Sequence, residues 1–545
     1  MTPKLKTLAE RLQSPVFRRY FWILAYLAVG VAYLAALLPN QQCGVGFTSM
    51  LAVGDHFYDD ATDAFKEAAP RVFEDSFGYD AQFYAQIALD PTLQDPQLDK
   101  GVDTLRYRAR RILMPAFAWA LGGGDPASIV RVYPLINPIC WFVCALLLLR
   151  WLPPTGIQNF IRWAGILLGW GWIMSTERSL TDGPAATLTV LAAFFIARNR
   201  YTSGALAIAA SALAKDVSLF AGLAIFEKRP TFRSAALRFV GRGLICVTPL
   251  FLWMLYVDSV APAQQSSFLG SGNFALPFQQ IGLKLAEQWG YWTSGFFGDA
   301  RFLLCFIGIA THIVFMFLRP RWSDQWWRIG ISFAALAAVL GPAVWEGTPG
   351  AAPRVLLVLH IAFNLLVPKT RIWLPVLLLG NVSVIDFHRI MQPPELSVRS
   401  QLCIEQGRFL TEKDGFYASA LQLTFLDGWH QVEIGGEFAR KWTKDEASLE
   451  LFNHSSKPLT AHLVLRLDSH YQRRTFIDWN GERVADFQHG NRLTDFPIGE
   501  IVIEPGGNAL TISGDGPARQ PNEEDTRRLG VSFFHLFLSP SDNER

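Results

Sequence analysis

Residues 203–226 read SGALAIAASALAKDVSLFAGLAIF, and this stretch decides how many times the chain crosses a membrane. It is long and apolar enough for one span, yet Lys215 and Asp216 lie at its middle. Either it is one span with two charges at mid-membrane, or it is two short spans that meet at the charged pair. Basic residues flank it at 198–200 and 228–229, and they share one side of the membrane only if the stretch is a hairpin. Because basic residues concentrate on the cytoplasmic side, we predict the hairpin.

The composition is that of a polytopic membrane protein. Of the 545 residues, 50% are hydrophobic and only 18% are charged, and the apolar residues are grouped in long runs. The net charge of +2 gives no electrostatic basis for binding nucleic acid. No pair among the six cysteines has metal-ligand spacing, so no metal site or cofactor is predicted. The acidic loops leave a divalent ion open as an alternative.

The apolar runs predict a polytopic α-helical membrane domain over residues 18–390, preceded by a cytoplasmic segment at residues 1–17. With the hairpin counted as two spans, we expect about eleven spans, an N-terminus in the cytoplasm and a C-terminus outside it. The predicted spans lie near residues 19–38, 128–152, 157–175, 184–198, 203–226, 235–257, 302–318, 327–345, 353–367 and 372–387.

After residue 390 the pattern of the sequence changes. Apolar residues alternate over short distances, as in ASLELFN and AHLVLRL, and Gly, Asn and Asp separate the runs, as in NGERV. Residues 391–545 are therefore predicted to form a soluble β-sandwich. The predicted topology places this domain in the periplasm if the membrane is a bacterial inner membrane.

Residues 39–127 form a long first outer loop that is too long and too acidic for a plain connector. It contains GYDAQFYAQIALDP at residues 78–91, where a helical projection places Asp80 on the aromatic face. The alternative is that Asp80 is only the N-cap of this helix. Further on, RRILMPAFAWALGGG is apolar but too short to cross a bilayer, so we expect it at the interface or re-entrant.

The predicted topology gathers unusual polar residues from several loops on the outer face of the membrane. Any one of them is explained equally well as a solvated loop charge or as a contact to lipid headgroups. Together they supply a carboxylate that would deprotonate a hydroxyl and cations that would hold a phosphate, at the depth of a lipid headgroup. Transfer of a sugar from a polyprenyl-phosphate donor needs all three features.

Four short motifs resemble those of one enzyme class. They are YDAQFY at 79–84, YRARRILMP at 107–115, TDGP at 181–184 and LAKD at 213–216. In this order they resemble the GT-C class of integral-membrane glycosyltransferases, in particular bacterial members with YDGQFY, YR-RRIL-P, TDGP and LAK(E/D). The resemblance covers roughly residues 18–390.

The resemblance implies a GT-C-like fold, an acidic catalytic residue at Asp80, a lipid-phosphate-linked sugar donor and inverting transfer. Two positions depart from the pattern: Ala81 replaces Gly, which removes backbone freedom beside the acid, and Asp216 replaces Glu. We predict Asp80 as the general base. The predicted donor-phosphate ligands are Arg108, Arg111 and Lys215. The predicted pocket residues are Tyr79, Gln82, Tyr84, Asp182, Asp216, Glu346 and Arg354.

The C-terminal domain is similar to β domains appended to many bacterial membrane glycosyltransferases, which open on a Gly-Trp…Glu…Trp-Thr pattern and resemble carbohydrate-binding modules. Trp429, Glu433 and Trp442 carry the pattern here. Trp429 and Trp442 are therefore candidates for stacking on sugar, and the alternative is that both are core residues.

The sequence thus predicts a glycosyltransferase of a bacterial inner membrane with its catalytic face in the periplasm. Its expected partners are a polyprenyl-phosphate-linked sugar, a cell-envelope glycan or glycolipid acceptor, and membrane lipids. One alternative is a transporter or flippase of lipid-linked saccharides, which would also need charges at membrane depth. Another is a non-catalytic scaffold for the β domain, which leaves the charges of the hairpin unexplained.

Overall fold

The computed structural model divides the chain into two compact units. The first comprises Met1–Gln41 and Val45–Pro394, and the second comprises Gln42–Gly44 and Glu395–Arg545. The structure describes residues 15–42, 44–73, 75–227, 232–261, 271–293, 300–346, 350–387, 409–412, 421–435, 438–455, 457–521 and 525–540. The basic residues at 228–229 and residues 1–14 of the cytoplasmic segment predicted at 1–17 lie outside these ranges.

The first unit is helical, and its apolar helices bury one another's faces in a common core of aromatic and branched side chains. Among the described residues, three helices are long and apolar enough to cross a membrane: Arg19–Asn40, Pro126–Leu148 and Arg233–Val260. The shorter apolar helices are Asp182–Ile196, Tyr201–Ala214, Asp216–Ile225, Leu303–Leu318, Leu357–Leu366 and Arg371–Gly380. The protein is therefore a helical membrane protein, and the count of about eleven spans stays a prediction.

Several predicted spans are broken into shorter helices in the structure. Helix bounds in this unit are Pro15–Leu37, Pro126–Val132, Ile136–Leu148, Ile157–Leu167, Trp170–Glu177, Asp182–Ile196, Tyr201–Ala214, Phe232–Val260, Gln279–Thr293, Ala300–Leu318, Gln325–Val339, Pro342–Trp345, Ala352–Val355, Leu357–Leu366 and Leu374–Gly380. Two of the breaks fall at Gly169 and Gly341, where the backbone is extended.

The stretch at 203–226 is one of the interrupted segments. An α-helix runs from Tyr201 to Ala214, Lys215 has an extended backbone with φ −157°, and a 3-10 helix begins at Asp216 and ends at Ile225. The break thus falls at the charged pair, as the hairpin interpretation requires.

Two buried arginines in this unit donate hydrogen bonds to backbone carbonyl groups at the ends of helices. The Arg162 guanidinium donates to the carbonyl oxygens of Asn364 and Val367 at 2.8 and 2.7 Å and to that of Pro368 at 3.1 Å. Arg328 donates in the same way to carbonyls that include those of Leu223 and Ala224. The excess of basic residues on cytoplasmic surfaces predicts that Arg150 and Arg162 both lie on that surface, whereas the structure buries Arg162 as a helix cap.

We expect Arg162→Met to lower the thermal unfolding midpoint of the purified protein in detergent. The substitution leaves three buried carbonyl groups without their donor, at a cost on the order of 3 kcal/mol. Arg150→Met is the matched control, because Arg150 is exposed on the same predicted side of the membrane. Equal midpoints for the two variants would show that the Arg162 bonds do not stabilise the fold.

The first loop is a compact layer of short helices with its own hydrophobic core. Strands β1 (Val53–Gly54) and β2 (Val72–Phe73) pair in parallel. The helices of the loop are Thr48–Leu51, Asp55–Tyr58, Asp63–Glu67, Ala81–Leu89, Leu98–Gly101, Leu105–Arg108, Ala109–Arg111 and Leu113–Leu121. The last of these is the apolar segment predicted to be too short to span, and it ends before the glycines at 122–124.

The second unit is a sandwich of two antiparallel sheets. Its strands are β3 (Leu410–Glu412), β4 (Leu421–Phe425), β5 (Glu433–Gly435), β6 (Phe438–Trp442), β7 (Glu446–Asn453), β8 (Leu459–Asp468), β9 (Arg473–Trp479), β10 (Glu482–His489), β11 (Thr494–Ile503), β12 (Gly506–Gly514) and β13 (Ser532–Pro540). In the described residues, one sheet has the order β10-β9-β12-β7-β4 and the other β11-β8-β13-β6-β5, with β3 added in parallel to β13. Alternate leucines of β7 and β8 meet in the core between the sheets.

Candidate functional site: a network of charges around Asp80

The loop that carries Asp80 is held in place by glycines and glutamines. Gly78 has φ +67°, and a side chain there would collide with the Ala52 carbonyl and the Gly54 nitrogen. The Gln82 amide accepts a hydrogen bond from Gly54 N at 3.0 Å and donates one to Phe77 O at 2.8 Å. These contacts fix the turn that leads into the helix Ala81–Leu89.

Asp80 directly precedes this helix but does not cap it. Its backbone is already helical, and its carboxylate makes no capping hydrogen bond. The carboxylate instead forms ion pairs with two arginines from distant segments: Arg108 Nη1 lies 2.8 Å from Oδ1 and Arg354 Nη2 lies 3.4 Å from Oδ2. The geometry therefore argues against the N-cap interpretation.

Each of these arginines also contacts a second carboxylate. Arg108 donates to Asp103 through two nitrogens, Nε at 2.9 Å and Nη2 at 2.7 Å. Arg354 Nη1 donates to Asp182 Oδ2 at 3.2 Å. Asp182 in turn forms an ion pair with Lys215. The network is a chain of six alternating charges drawn from five separate parts of the sequence.

Lys215 and its neighbour Asp216 do not pair with each other in the structure, because the backbone break sends the two side chains to different partners. The Asp216 carboxylate accepts a hydrogen bond from Val217 N at 3.0 Å, at the start of the 3-10 helix. Lys215 and Asp182 are both buried, so their charges neutralise each other in the interior.

Arg111 is a buried cation with no ion pair among the residues that the structure describes. Its guanidinium donates to the hydroxyl groups of Tyr84 and Tyr107, the latter at 2.8 Å. Asn273 donates to the same Tyr107 oxygen at 3.3 Å. Within the described ranges, Arg111 Nε has no hydrogen-bond partner. A buried guanidinium that contacts only neutral oxygens favours the approach of an anion.

The two central acids, Asp80 and Asp182, differ in their exposure to solvent. The Asp80 side chain is 22% exposed, whereas that of Asp182 is 1% exposed. Burial alone would raise the pKa of Asp80, but the positive charges of Arg108, Arg354 and Arg111 outweigh it and hold the pKa below its usual value. Asp80 is therefore an ionised carboxylate that a ligand can reach.

The remaining predicted pocket residues are distributed unevenly. Tyr79 is close to the network, because its hydroxyl accepts a hydrogen bond from Arg354 Nη2 at 3.4 Å. Tyr84 is buried beneath the network and holds Arg111. Gln82 uses its amide on the loop backbone, and Glu346 is exposed with no described contact to the network. The structure thus brings most of the predicted residues together and leaves Gln82 and Glu346 apart.

Three residues of the site were not among the predicted site residues. Asp103 looks like an ordinary loop acid, and its spacing of five residues before Arg108 is not a helix-surface pair. Tyr107 lies inside a quoted motif but was given no role. Asn273 lies far away in the sequence, in a loop without a recognisable motif. In the described part of the chain, no group of three or more His, Cys, Asp or Glu residues is arranged to hold a metal ion.

The two tryptophans of the β domain have structural contacts. Trp442 is 1% exposed, so its ring presents no face to a sugar in this geometry. Trp429 packs against Phe425 and Phe533 and donates from Nε1 to Ser448 O at 2.6 Å. Both fit the core-residue alternative, because indole rings contribute large buried area and their N–H groups are bonded.

Comparison with solved structures gives matches of low similarity, among them an arabinosyltransferase and two mannanases. No protein-family profile and no curated protein matches the chain. Arabinosyltransferase EmbB from Mycobacterium smegmatis matches at 11% identity and a TM-score of 0.32, over 93% of this chain and 64% of that one. A Podospora anserina GH26-CBM35 β-(1,4)-mannanase and a ruminal GH26 endo-β-1,4-mannanase each match at 15% identity, with TM-scores of 0.15 and 0.14.

The mannanase matches cover 22% and 21% of this chain and 24% and 21% of those proteins. The chain therefore spans less than two thirds of each of the three proteins. TM-scores this low do not establish a shared fold.

From the lowered pKa of Asp80 we predict how the folding stability of the protein changes at acid pH. A carboxylate with a lowered pKa in the folded state stabilises the protein above its unfolded pKa of about 3.9, and this contribution is lost as pH falls through the folded value. Asp80→Asn should therefore flatten the fall of the thermal midpoint below about pH 4. The control is Asp99→Asn, since Asp99 is exposed in the same loop. If the thermal midpoints of both variants and of the parent fall in parallel below about pH 4, that result would contradict the lowered pKa of Asp80.

Proposed function

We propose that this protein is an integral-membrane glycosyltransferase of the GT-C type. It transfers a sugar from a polyprenyl-phosphate donor to a hydroxyl group of a cell-envelope glycan or glycolipid, with inversion and with Asp80 as the general base. The observation that carries the proposal is the position of Asp80: a reachable, ionised carboxylate beside a cluster of arginines in a membrane protein. Asp182 is too buried to take the same role.

The arginines support the assignment of the donor phosphate. Arg111 has a charge that no described carboxylate contacts directly, and two phenol groups orient it. Arg108 lies three residues away, next to Asp80. A phosphate placed between these guanidinium groups would receive charge-assisted hydrogen bonds that strengthen as the leaving group gains charge. Lys215 adds a further positive charge to the network, where it forms an ion pair with Asp182.

The reaction follows from these positions. The acceptor hydroxyl gives its proton to the Asp80 carboxylate while its oxygen forms a bond to the anomeric carbon of the donor sugar. The bond from that carbon to the phosphate oxygen breaks, and the electron pair leaves with the polyprenyl phosphate. Arg108 and Arg111 neutralise the charge that develops there. Asp80 then releases its proton to solvent, which its partial exposure permits.

The location of the reaction is also part of the proposal. The bias of basic residues favours a bacterial inner membrane with the network and the β domain at the periplasmic face. The alternative of a flippase for lipid-linked saccharides requires a polar path through the membrane unit. The ion-paired network favours transfer over transport, because its acids and bases are already neutralised in fixed positions.

Asp80→Asn should give a folded protein with little sugar transfer. Loss of a general base typically lowers the rate by about 10²–10⁴-fold, whereas asparagine would replace aspartate well in a capping role. The measurement is transfer of labelled sugar from polyprenyl-phosphate donors extracted from host membranes, supported by complementation of the host's surface polymer. Asp99→Asn should behave as the parent. Full transfer by Asp80→Asn at normal expression would reject Asp80 as the base.

Arg111→Met should weaken binding of the donor while Asp80 stays in place. The change removes the buried positive charge but retains a long apolar side chain between Tyr84 and Tyr107. We expect donor affinity to fall by roughly 10- to 100-fold, as for loss of one or two charge-assisted hydrogen bonds. Equilibrium binding of polyprenyl phosphate itself, without sugar, isolates this effect. Arg110→Met is the control, and equal affinities for both variants would remove Arg111 from the donor site.

A further inference from the structure

We infer that Asp103 is a positioning residue, which holds Arg108 in place so that Asp80 is free to exchange a proton. The inference rests on the proposed function, since it assigns a role in that reaction to a residue that no motif contains. It starts from the way in which Arg108 is shared between two carboxylates of the first loop.

The two contacts of Arg108 are unequal. Asp103 receives two hydrogen bonds, from Nε at 2.9 Å and from Nη2 at 2.7 Å, in the parallel arrangement that best fits a guanidinium and a carboxylate. Asp80 is reached only by the remaining nitrogen, Nη1, at 2.8 Å. Asp103 is therefore the anchor of Arg108, and Asp80 is its second, singly bonded partner.

Arg354 repeats this arrangement on the other side of Asp80. Its Nη1 contacts the buried Asp182 at 3.2 Å, and its Nη2 reaches Asp80 at 3.4 Å and the Tyr79 hydroxyl at 3.4 Å. Asp80 thus lies between two arginines, and each arginine also forms an ion pair with a second carboxylate. Within the network, Asp80 is contacted only by guanidinium nitrogens that do not contact Asp103 or Asp182.

This arrangement matters at the moment when Asp80 takes up the proton of the acceptor. Its negative charge is then lost, and an arginine paired with Asp80 alone would be left beside a neutral acid. Because Asp103 keeps its two hydrogen bonds, Arg108 retains a counter-ion and its orientation throughout. Without Asp103, the guanidinium would turn fully onto Asp80, bind its oxygens and oppose protonation.

The test compares Asp103→Asn with the parent, with Asp80→Asn and with the control Asp99→Asn, in the sugar-transfer assay over a range of pH. We expect Asp103→Asn to lower turnover by roughly 10- to 100-fold, as misplacement of a catalytic group by about 1 Å does. The KM for the donor should rise as well, because an Arg108 side chain that turns onto Asp80 no longer reaches the donor phosphate. The low-pH limb of the turnover profile should move to lower pH, because Arg108 then stabilises only the Asp80 carboxylate. Asp103→Glu should restore part of the turnover and the position of the limb.

The outcomes are separable. A merely structural role for Asp103 predicts less folded protein with an unmoved limb, and that result would overturn the inference. So would normal turnover in Asp103→Asn while Asp80→Asn is inactive. Full activity of Asp80→Asn would instead reject the proposed function itself, whatever Asp103→Asn does.

Discussion

The ion pairs of Arg354 join the two halves of the candidate site. One end of its guanidinium contacts Asp182, at the start of a buried helix of the membrane unit, and the other contacts Asp80 in the first loop. Without it, the loop acid and the Lys215–Asp182 pair would be separate features. The interaction also explains the burial of so many charges: each is offset by a neighbour, so no single one carries the full desolvation penalty.

The role proposed for Asp80 as general base has a consequence for catalysis, because two arginines contact this carboxylate. The positive charges keep Asp80 ionised at neutral pH, which guarantees the reactive form but lowers its intrinsic basicity. The same cations would attract the phosphate of a donor, and a bound anion would offset their effect on Asp80. The carboxylate would then become a stronger base when the donor is present. In the proposed reaction, the network would thus couple donor binding to the basicity of Asp80 through charge.

The sequence predicted the parts of the site better than their contacts. The break at Lys215, the short helix Leu113–Leu121 and the β domain follow from hydropathy and turn residues, which are local properties. The pairing of Asp182 with Arg354 joins positions 172 residues apart, and no local pattern encodes it. Asp103 was missed for a related reason, because its value lies in the two bonds it makes and not in its surroundings in the sequence. For Trp442 the sequence left sugar stacking and core burial open as alternatives, because a motif does not reveal burial.

The buried arginine cap at Arg162 bears on how the chain is made. Its acceptors, the carbonyls of Asn364 and Val367, follow it by 202 and 205 residues. During synthesis, Arg162 therefore enters the chain long before the residues whose carbonyl groups accept its hydrogen bonds. Until then the charge must remain at the water interface, since an unpaired arginine is costly inside a bilayer. The helix Ile157–Leu167 therefore cannot complete these hydrogen bonds until the segment near Leu357–Leu366 has been synthesised.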